Sequence, residues 1–141
     1  LYMVYYICKE EERKRGIFML KLNETPINYK GENLYFFGTN YISCPDNIAI
    51  AVETDFHEPY CTLTVNLEDY GYIFKNGTIA VHHDMFANPD LLDVFINKFC
   101  VPDFVRPIQY GLANSILVQL LPEVYKKIKE NIAKEELEEN V

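Results

Sequence analysis

The amino-acid sequence predicts an α+β protein with a mainly antiparallel β-sheet in a meander, one helix after a hairpin and a long C-terminal helix. Five segments rich in β-branched and aromatic residues follow one another between breaks that contain Gly, Asn, Asp or Pro, which is typical of a meander. Two later segments have the helical period instead. A chain of 141 residues has the length of one domain, so residues 1–141 are expected to form a single domain.

The predicted strands are "GIFMLKL" (16–22), "NLYFFG" (33–38), "NIAIAVET" (47–54), "YCTLTVNL" (60–67) and "TIAVHHD" (78–84). Asn76-Gly77 lies between two apolar runs and indicates a type I′ hairpin, because both central residues of that turn need a positive φ. The short strand at 73–74 is therefore expected to pair with the strand that begins at Thr78.

The segment "ANPDLLDVFINKFC" (87–100) predicts a helix of about three turns. Asn88 is a suitable N-cap and Pro89 suits the first helical position. The apolar stripe consists of Leu91, Leu92, Phe95 and Phe99.

Residues 101–115 contain two prolines and a glycine and are expected to form a loop. The C-terminal helix is expected within 121–141, beginning at Pro122, with Val124, Ile128 and Ile132 along one side. That stripe could dock on the chain's own sheet or on a second copy. Residues 1–18 could be an N-terminal appendage.

Composition limits the classes of function. The net charge of −8 and the pI of about 4.8 oppose binding to nucleic-acid backbones or anionic membranes. No apolar run approaches the roughly 20 residues of a membrane-spanning helix, and we expect a cytoplasmic protein. The four cysteines form no CxxC pair, which favours free, buried thiols over disulfides or zinc. No cofactor is expected.

Polar and apolar side chains alternate along the stretch "YCTLTVNL" (60–67). Cys61, Leu63, Val65 and Leu67 are expected to face the core, while a row of hydroxyl and amide groups faces the other way. That row, formed by Tyr60, Thr62, Thr64 and Asn66, suits a small polar ligand and equally suits a solvent-facing sheet.

His82, His83 and Asp84 form a polar cluster at the end of a predicted strand. Neighbouring strand residues point to opposite faces, so the three side chains cannot chelate one ion unaided. No metal site is expected. The alternatives are polar residues of a ligand pocket or of a half-exposed sheet face.

Arg106 is isolated from the chain's two other arginines and lies in a proline-containing segment. With Gln109 and Tyr110 nearby, its guanidinium could bind a phosphate. The alternative is a surface ion pair with one of the many acidic residues.

Four segments occur in an order that resembles a family of small phage and mobile-element proteins that includes a Thoeris anti-defence protein. They are "EPYCTLTVNL" (58–67), "IAVHHD" (79–84), "ANPDLLDVFINK" (87–98) and "VRPIQYG" (105–111). The resemblance covers roughly residues 19–115. It implies a sheet with helices, a homodimer or higher homo-oligomer, and sequestration of a cyclic ADP-ribose immune signal without cleavage.

The resemblance and side-chain chemistry together imply a set of ligand-binding residues. Arg106 and a histidine would hold the phosphates, an aromatic side chain would stack on adenine, and a carboxylate or amide would accept ribose hydroxyls. Gln109 stands where the family tends to have a second arginine. The set is Arg106, His82, Asp84, Phe86, Asn88, Gln109 and Tyr110.

Two other functions remain open at the level of sequence. The acidic balance, with the Glu-rich segment 135–139, would suit a DNA-mimic-like inhibitor that binds a defence effector. A nucleotide hydrolase that degrades the signal could use His82 with Asp84 or His83 as acid and base. We expect the sequestering protein rather than either of these.

Overall fold

The computed structural model describes residues 19–41, 43–67, 71–82, 90–108 and 115–139. Within them the antiparallel strands and two helices confirm the predicted α+β class. The elements are β1 (Leu20–Lys21), β2 (Ile27–Tyr29), β3 (Glu32–Asn40), β4 (Ile48–Thr54), β5 (Pro59–Thr62), β6 (Thr78–His82), α1 (Leu91–Phe99), β7 (Cys100–Pro107), β8 (Ser115–Leu120) and α2 (Pro122–Glu139).

The strands form two antiparallel sheets that meet just after β5. In the first sheet β1 and β2 pair with β3, followed by β4 and β5, and the second has the order β6-β8-β7. Thr64 forms an antiparallel bridge with Val81. The Val65 N–H donates to the Ala80 carbonyl and the His82 N–H donates to the Leu63 carbonyl, each at 3.0 Å. These bonds place β6 beside the end of the first sheet.

Both helices cover one face of these sheets. Phe36 on β3 is fully buried, and its ring centroid lies 5.9 Å from that of Phe95 and 5.4 Å from that of Phe99 on α1. A Cβ added to Gly38 would lie 2.7 Å from the Ile128 Cδ1 atom of α2, so glycine lets this helix approach β3 closely. The apolar stripe of α2 therefore docks on the chain's own sheet.

The predicted hairpin at Asn76-Gly77 is wrong. Gly77 has φ +87°, but Asn76 is not in the left-handed region, and residues 72–74 do not form a strand. The Asn76 Oδ1 atom instead accepts hydrogen bonds from the Thr78 hydroxyl (2.9 Å) and the Thr78 N–H (3.4 Å). This Asx turn leads into β6, which pairs along all five of its residues with β8.

The predicted loop over 101–115 is also wrong for its first half. Residues 100–107 belong to β7, an edge strand paired with β8, and a register shift falls between Cys100 and Val105. Pro102 and Pro107 are compatible with an edge position, where a missing N–H breaks few ladder bonds. The helix α1 begins at Leu91, while the predicted cap residues Asn88 and Pro89 lie outside the described residues.

The alternation predicted for residues 60–67 breaks at Thr64. Cys61 and Leu63 join the main core as expected, but Val65 packs in a separate cluster around Leu67 and Ala80. The Thr64 hydroxyl oxygen accepts the Ile50 N–H at 3.0 Å and is hydrogen-bonded to the Tyr41 hydroxyl at 2.8 Å. The Thr64 side chain therefore satisfies a backbone N–H of β4, as a neighbouring strand would. Within the predicted polar row, Thr62 and Thr64 are therefore buried rather than solvent-facing, while Tyr60 and Asn66 are partly exposed.

The described cysteines are free thiols buried in the fold, as expected: Cys44, Cys61 and Cys100. Burial raises the pKa of Cys61 and of Cys100 to about 12, which keeps both thiols protonated and unreactive at neutral pH. Among the described helices, none has the length and apolar composition needed to cross a membrane.

Candidate functional site

Two of the predicted ligand-binding residues, His82 and Arg106, lie in the described part of the chain. The others lie outside the described residues: Asp84, Phe86, Asn88, Gln109 and Tyr110, together with His83.

His82 and Arg106 lie on the same face of the second sheet. His82 pairs with Ser115 and Arg106 pairs with Leu117, and these two partners are two residues apart on β8. Cross-strand partners share a face, as do residues two apart on one strand. The strands β6 and β7 flank β8, so the two residues are separated by two strand spacings, about 10 Å, across the sheet and by two residues, about 7 Å, along it. The face is shared, but the side chains are not adjacent.

His82 is half-buried, and burial lowers the pKa of its imidazole below the ordinary value. The folded state therefore binds this proton less readily than the unfolded chain does. At neutral pH the ring is uncharged, which makes it a hydrogen-bonding group rather than a cation for a phosphate.

The pH dependence of stability should report this shift. Because the pKa of His82 is lowered in the folded state, its contribution to the free energy of unfolding is fully present above the unfolded pKa of about 6.5. That contribution is lost as pH falls below this value, because the unfolded chain then binds the proton more readily. His82→Gln should therefore lose less stability than the parent protein between about pH 7.5 and about pH 5.5 in urea unfolding. Equal losses of stability in the two proteins would show that His82 does not contribute to the pH dependence of unfolding.

A groove of about 830 Å³ opens on the same sheet face as Arg106, and we call it the Phe104 groove. It crosses the second sheet, since its lining includes Thr78 on β6, Leu117 on β8 and Phe104 on β7. The loop before β6 forms one wall. The described residues that line it are Asp46, Ile73, Phe74, Lys75, Asn76, Thr78, Phe104 and Leu117.

Arg106 stacks on the aromatic ring that lines this groove. Its Cζ atom lies 4.7 Å from the centroid of the Phe104 ring, and its Nη1 donates to the Val105 carbonyl at 3.2 Å. The side chain is exposed, and within the described ranges no carboxylate lies in ion-pair distance of it. A guanidinium has five N–H donors in a planar fork, so most of its donors remain for an anionic ligand.

Asp46 and Lys75 bring opposite charges to the groove. The Lys75 Nζ atom lies 4.0 Å from Asp46 Oδ2, and both side chains are substantially exposed, so the pair is weak. Burial and the charge of Asp46 raise the pKa of the nearby Tyr125 hydroxyl. An anionic group of a ligand could therefore compete with Asp46 for the lysine.

The wall of the groove is clamped from the side of β4 by Asn47, which is 4% exposed. Its amide group donates to the Tyr72 carbonyl at 2.9 Å and to Asn66 Oδ1 at 3.0 Å, and its oxygen accepts the Phe74 N–H at 2.9 Å. From the opposite side, the Tyr125 hydroxyl of α2 donates to the Lys75 carbonyl at 2.6 Å. These bonds fix a wall that has no regular secondary structure.

Replacing Asn47 by alanine should loosen this wall. The change leaves the Phe74 N–H and the Tyr72 carbonyl without these partners, which should lower the free energy of unfolding by about 1–3 kcal/mol. Hydrogen exchange of the Phe74 amide should become faster. Asn23→Ala is a matched control, because Asn23 clamps the Phe36 N–H (2.8 Å) and the Leu34 carbonyl (3.1 Å) at another place. Unchanged exchange at Phe74 in Asn47→Ala would contradict the clamp.

Neither Asn47 nor Phe104 was selected from the sequence. Asn47 and Phe74 are 27 residues apart, and no local pattern connects them. Across the described ranges, no group of three or more His, Cys, Asp or Glu residues is arranged to hold a metal ion.

Comparisons with protein-family models, curated proteins and solved structures found no match. The resemblance to the Thoeris anti-defence family therefore stays a prediction from the sequence. The geometry of the groove provides the structural basis for a functional proposal.

Proposed function

We propose that this protein binds and sequesters a small cyclic nucleotide immune signal of the cyclic ADP-ribose type without cleaving it, as a phage-type anti-defence protein. The observation that carries the proposal is the stack of Arg106 on Phe104 at the edge of an open groove. This arrangement offers a cation for phosphate beside an apolar surface for a base.

The charge of the groove differs from that of the whole chain. The net charge of −8 repels an anionic ligand at long range, but salt screens this field beyond about 8 Å at physiological ionic strength. Arg106 and Lys75 supply two cations close to the groove, with Asp46 as the acid among its lining residues. A small nucleotide dianion can therefore find local attraction on an acidic protein.

Sequestration is favoured over hydrolysis by the residues that line the groove. The described lining residues include neither histidine nor cysteine. His82, the described histidine on this face, lies at the end of β6 opposite Thr78, away from the groove. General acid–base chemistry needs such a group within hydrogen-bond distance of the reacting atoms. The lining offers binding groups instead.

Isothermal titration against cyclic ADP-ribose isomers and cyclic dinucleotides tests this proposal. After titration, heating releases the nucleotide and mass spectrometry gives its mass. We expect saturable binding of a cyclic ADP-ribose isomer and recovery at unchanged mass. A changed mass would make the protein an enzyme, and no binding across the panel would remove the proposal.

A homodimer or higher homo-oligomer in the host bacterial cytosol is part of the proposal and follows from the family resemblance. Light scattering coupled to size exclusion, with and without nucleotide, measures the mass of the assembly. A monomer under both conditions would contradict this part and leave the binding proposal to be judged by titration.

The second candidate is an inhibitor that docks on a defence effector, and one observation favours it. Phe56 is 79% exposed at the tip of the β4–β5 loop, between Asp55 and Glu58. The Thr54 hydroxyl accepts the N–H groups of Phe56 and Glu58, both at 3.3 Å, and so fixes the tip. In cells with a nucleotide-signalling defence, Phe56→Ser should keep anti-defence activity if sequestration is the function and lose it if docking is.

A further inference from the structure

We propose that Asp46 makes the Phe104 groove selective for nucleotides that carry a free ribose hydroxyl at its Asp46 end. This inference rests on the proposed nucleotide binding and assigns the direction in which the ligand lies. Phosphate is held at Arg106 on the β7 side, and the sugar hydroxyl is held at Asp46 on the opposite wall.

The backbone of Asp46 is held in place by a turn. The Asn47 N–H donates to the Cys44 carbonyl at 3.0 Å, which closes a four-residue turn with Pro45 and Asp46 at its centre. The Tyr41 N–H donates to the Asn47 carbonyl at 3.0 Å and ties the turn to the end of β3. Because the Asn47 side chain also bonds the groove wall, the turn that carries Asp46 is tied to that wall.

The charges in the groove determine which end receives the phosphate. Asp46 repels a phosphate. The ammonium group of Lys75 could attract one, but it already lies 4.0 Å from the Asp46 carboxylate. Arg106 stacks on Phe104 at 4.7 Å, and no described carboxylate is paired with it. Phosphate is therefore attracted to the β7 side, about two strand spacings or 10 Å from β6.

The chemistry of a carboxylate then selects the group at the other end. An ionised carboxylate only accepts hydrogen bonds, and ribose hydroxyls are donors. Asp46 Oδ2 faces Lys75, while the side chain is 46% exposed, so the carboxylate remains accessible to a ligand. A site built to bind a hydroxyl rejects the analogue that lacks it, because the carboxylate would then lose solvent without gaining a partner.

Titration of cyclic ADP-ribose and of its deoxy analogues, each lacking one ribose hydroxyl, tests the inference. The parent protein should bind at least one deoxy analogue about tenfold more weakly than cyclic ADP-ribose. Asp46→Ala should bring that ratio close to one. Asp93→Ala removes an exposed acid on α1 and should keep the ratio of the parent protein, which controls for the change in net charge.

The outcomes separate this inference from the function on which it rests. Binding of cyclic ADP-ribose with no preference over any deoxy analogue, or with a preference that survives in Asp46→Ala, would overturn the role of Asp46 and leave nucleotide binding in place. No binding of these nucleotides, nor of any other cyclic ADP-ribose isomer or cyclic dinucleotide, would overturn both. A ratio that falls in Asp46→Ala but not in Asp93→Ala supports the inference.

Discussion

Replacing Phe36 by alanine is expected to lower the free energy of unfolding by about 3–5 kcal/mol. Phe36 is fully buried between the sheet and α1, where it contacts the rings of Phe95 and Phe99. The substitution removes a large apolar surface and leaves a cavity that a close-packed sheet and helix can fill only in part. A single domain is commonly stable by about 5–15 kcal/mol, so the loss is a large share of the total.

Urea unfolding followed by circular dichroism measures this loss, with Phe56→Ala as the matched control. Phe56 is 79% exposed, so its removal should change stability by no more than about 0.5 kcal/mol. Equal effects of the two substitutions would contradict the packing of α1 on β3.

Replacing Arg106 by alanine is expected to weaken binding of the cyclic nucleotide by about 10- to 100-fold while leaving the unfolding curve unchanged. The substitution removes charge-assisted hydrogen bonds to phosphate and the stack on Phe104. Arg106→Lys keeps the charge but loses the planar fork, so its affinity should be intermediate. Isothermal titration measures all three proteins.

Lys98→Ala is the control for this series, because Lys98 is an exposed cation on α1 away from the groove lining. It removes the same unit of charge as Arg106→Ala and should leave affinity within about twofold at physiological salt. If Arg106→Ala binds as tightly as the parent protein, the assignment of Arg106 to the phosphate is wrong.

Local patterns predicted the central strands and both helices because continuous apolar runs and the helical period are visible in short segments of sequence. The apolar run at 47–54 became β4, which is buried along its whole length, and the Pro122 helix docks through Ile128. The hairpin failed because a local turn preference was outweighed by pairing between distant strands. Thr78 bonds the Gln119 side chain, 41 residues along the chain, and that partner cannot be identified from local sequence.

The edge strand β7 was missed for a related reason. Two prolines favour a loop in any local interpretation, and only the arrangement of the whole sheet shows that this strand lies at an edge, where proline is tolerated. The same limit applies to the groove. Arg106 was identifiable as an isolated arginine, whereas Asp46, Lys75 and Phe104 come from three separate parts of the chain and meet only in the fold.

The most direct test of the central claim is a titration of isotope-labelled protein with cyclic ADP-ribose isomers, followed by amide chemical shifts. If the Phe104 groove binds the nucleotide, the largest shifts should fall on Lys75, Asn76, Phe104 and Arg106. A smaller cavity of about 330 Å³ between β1 and α2, with Lys21 and Lys127 in its lining, provides an internal comparison. Shifts confined to that cavity, with the groove amides unmoved, would contradict the account.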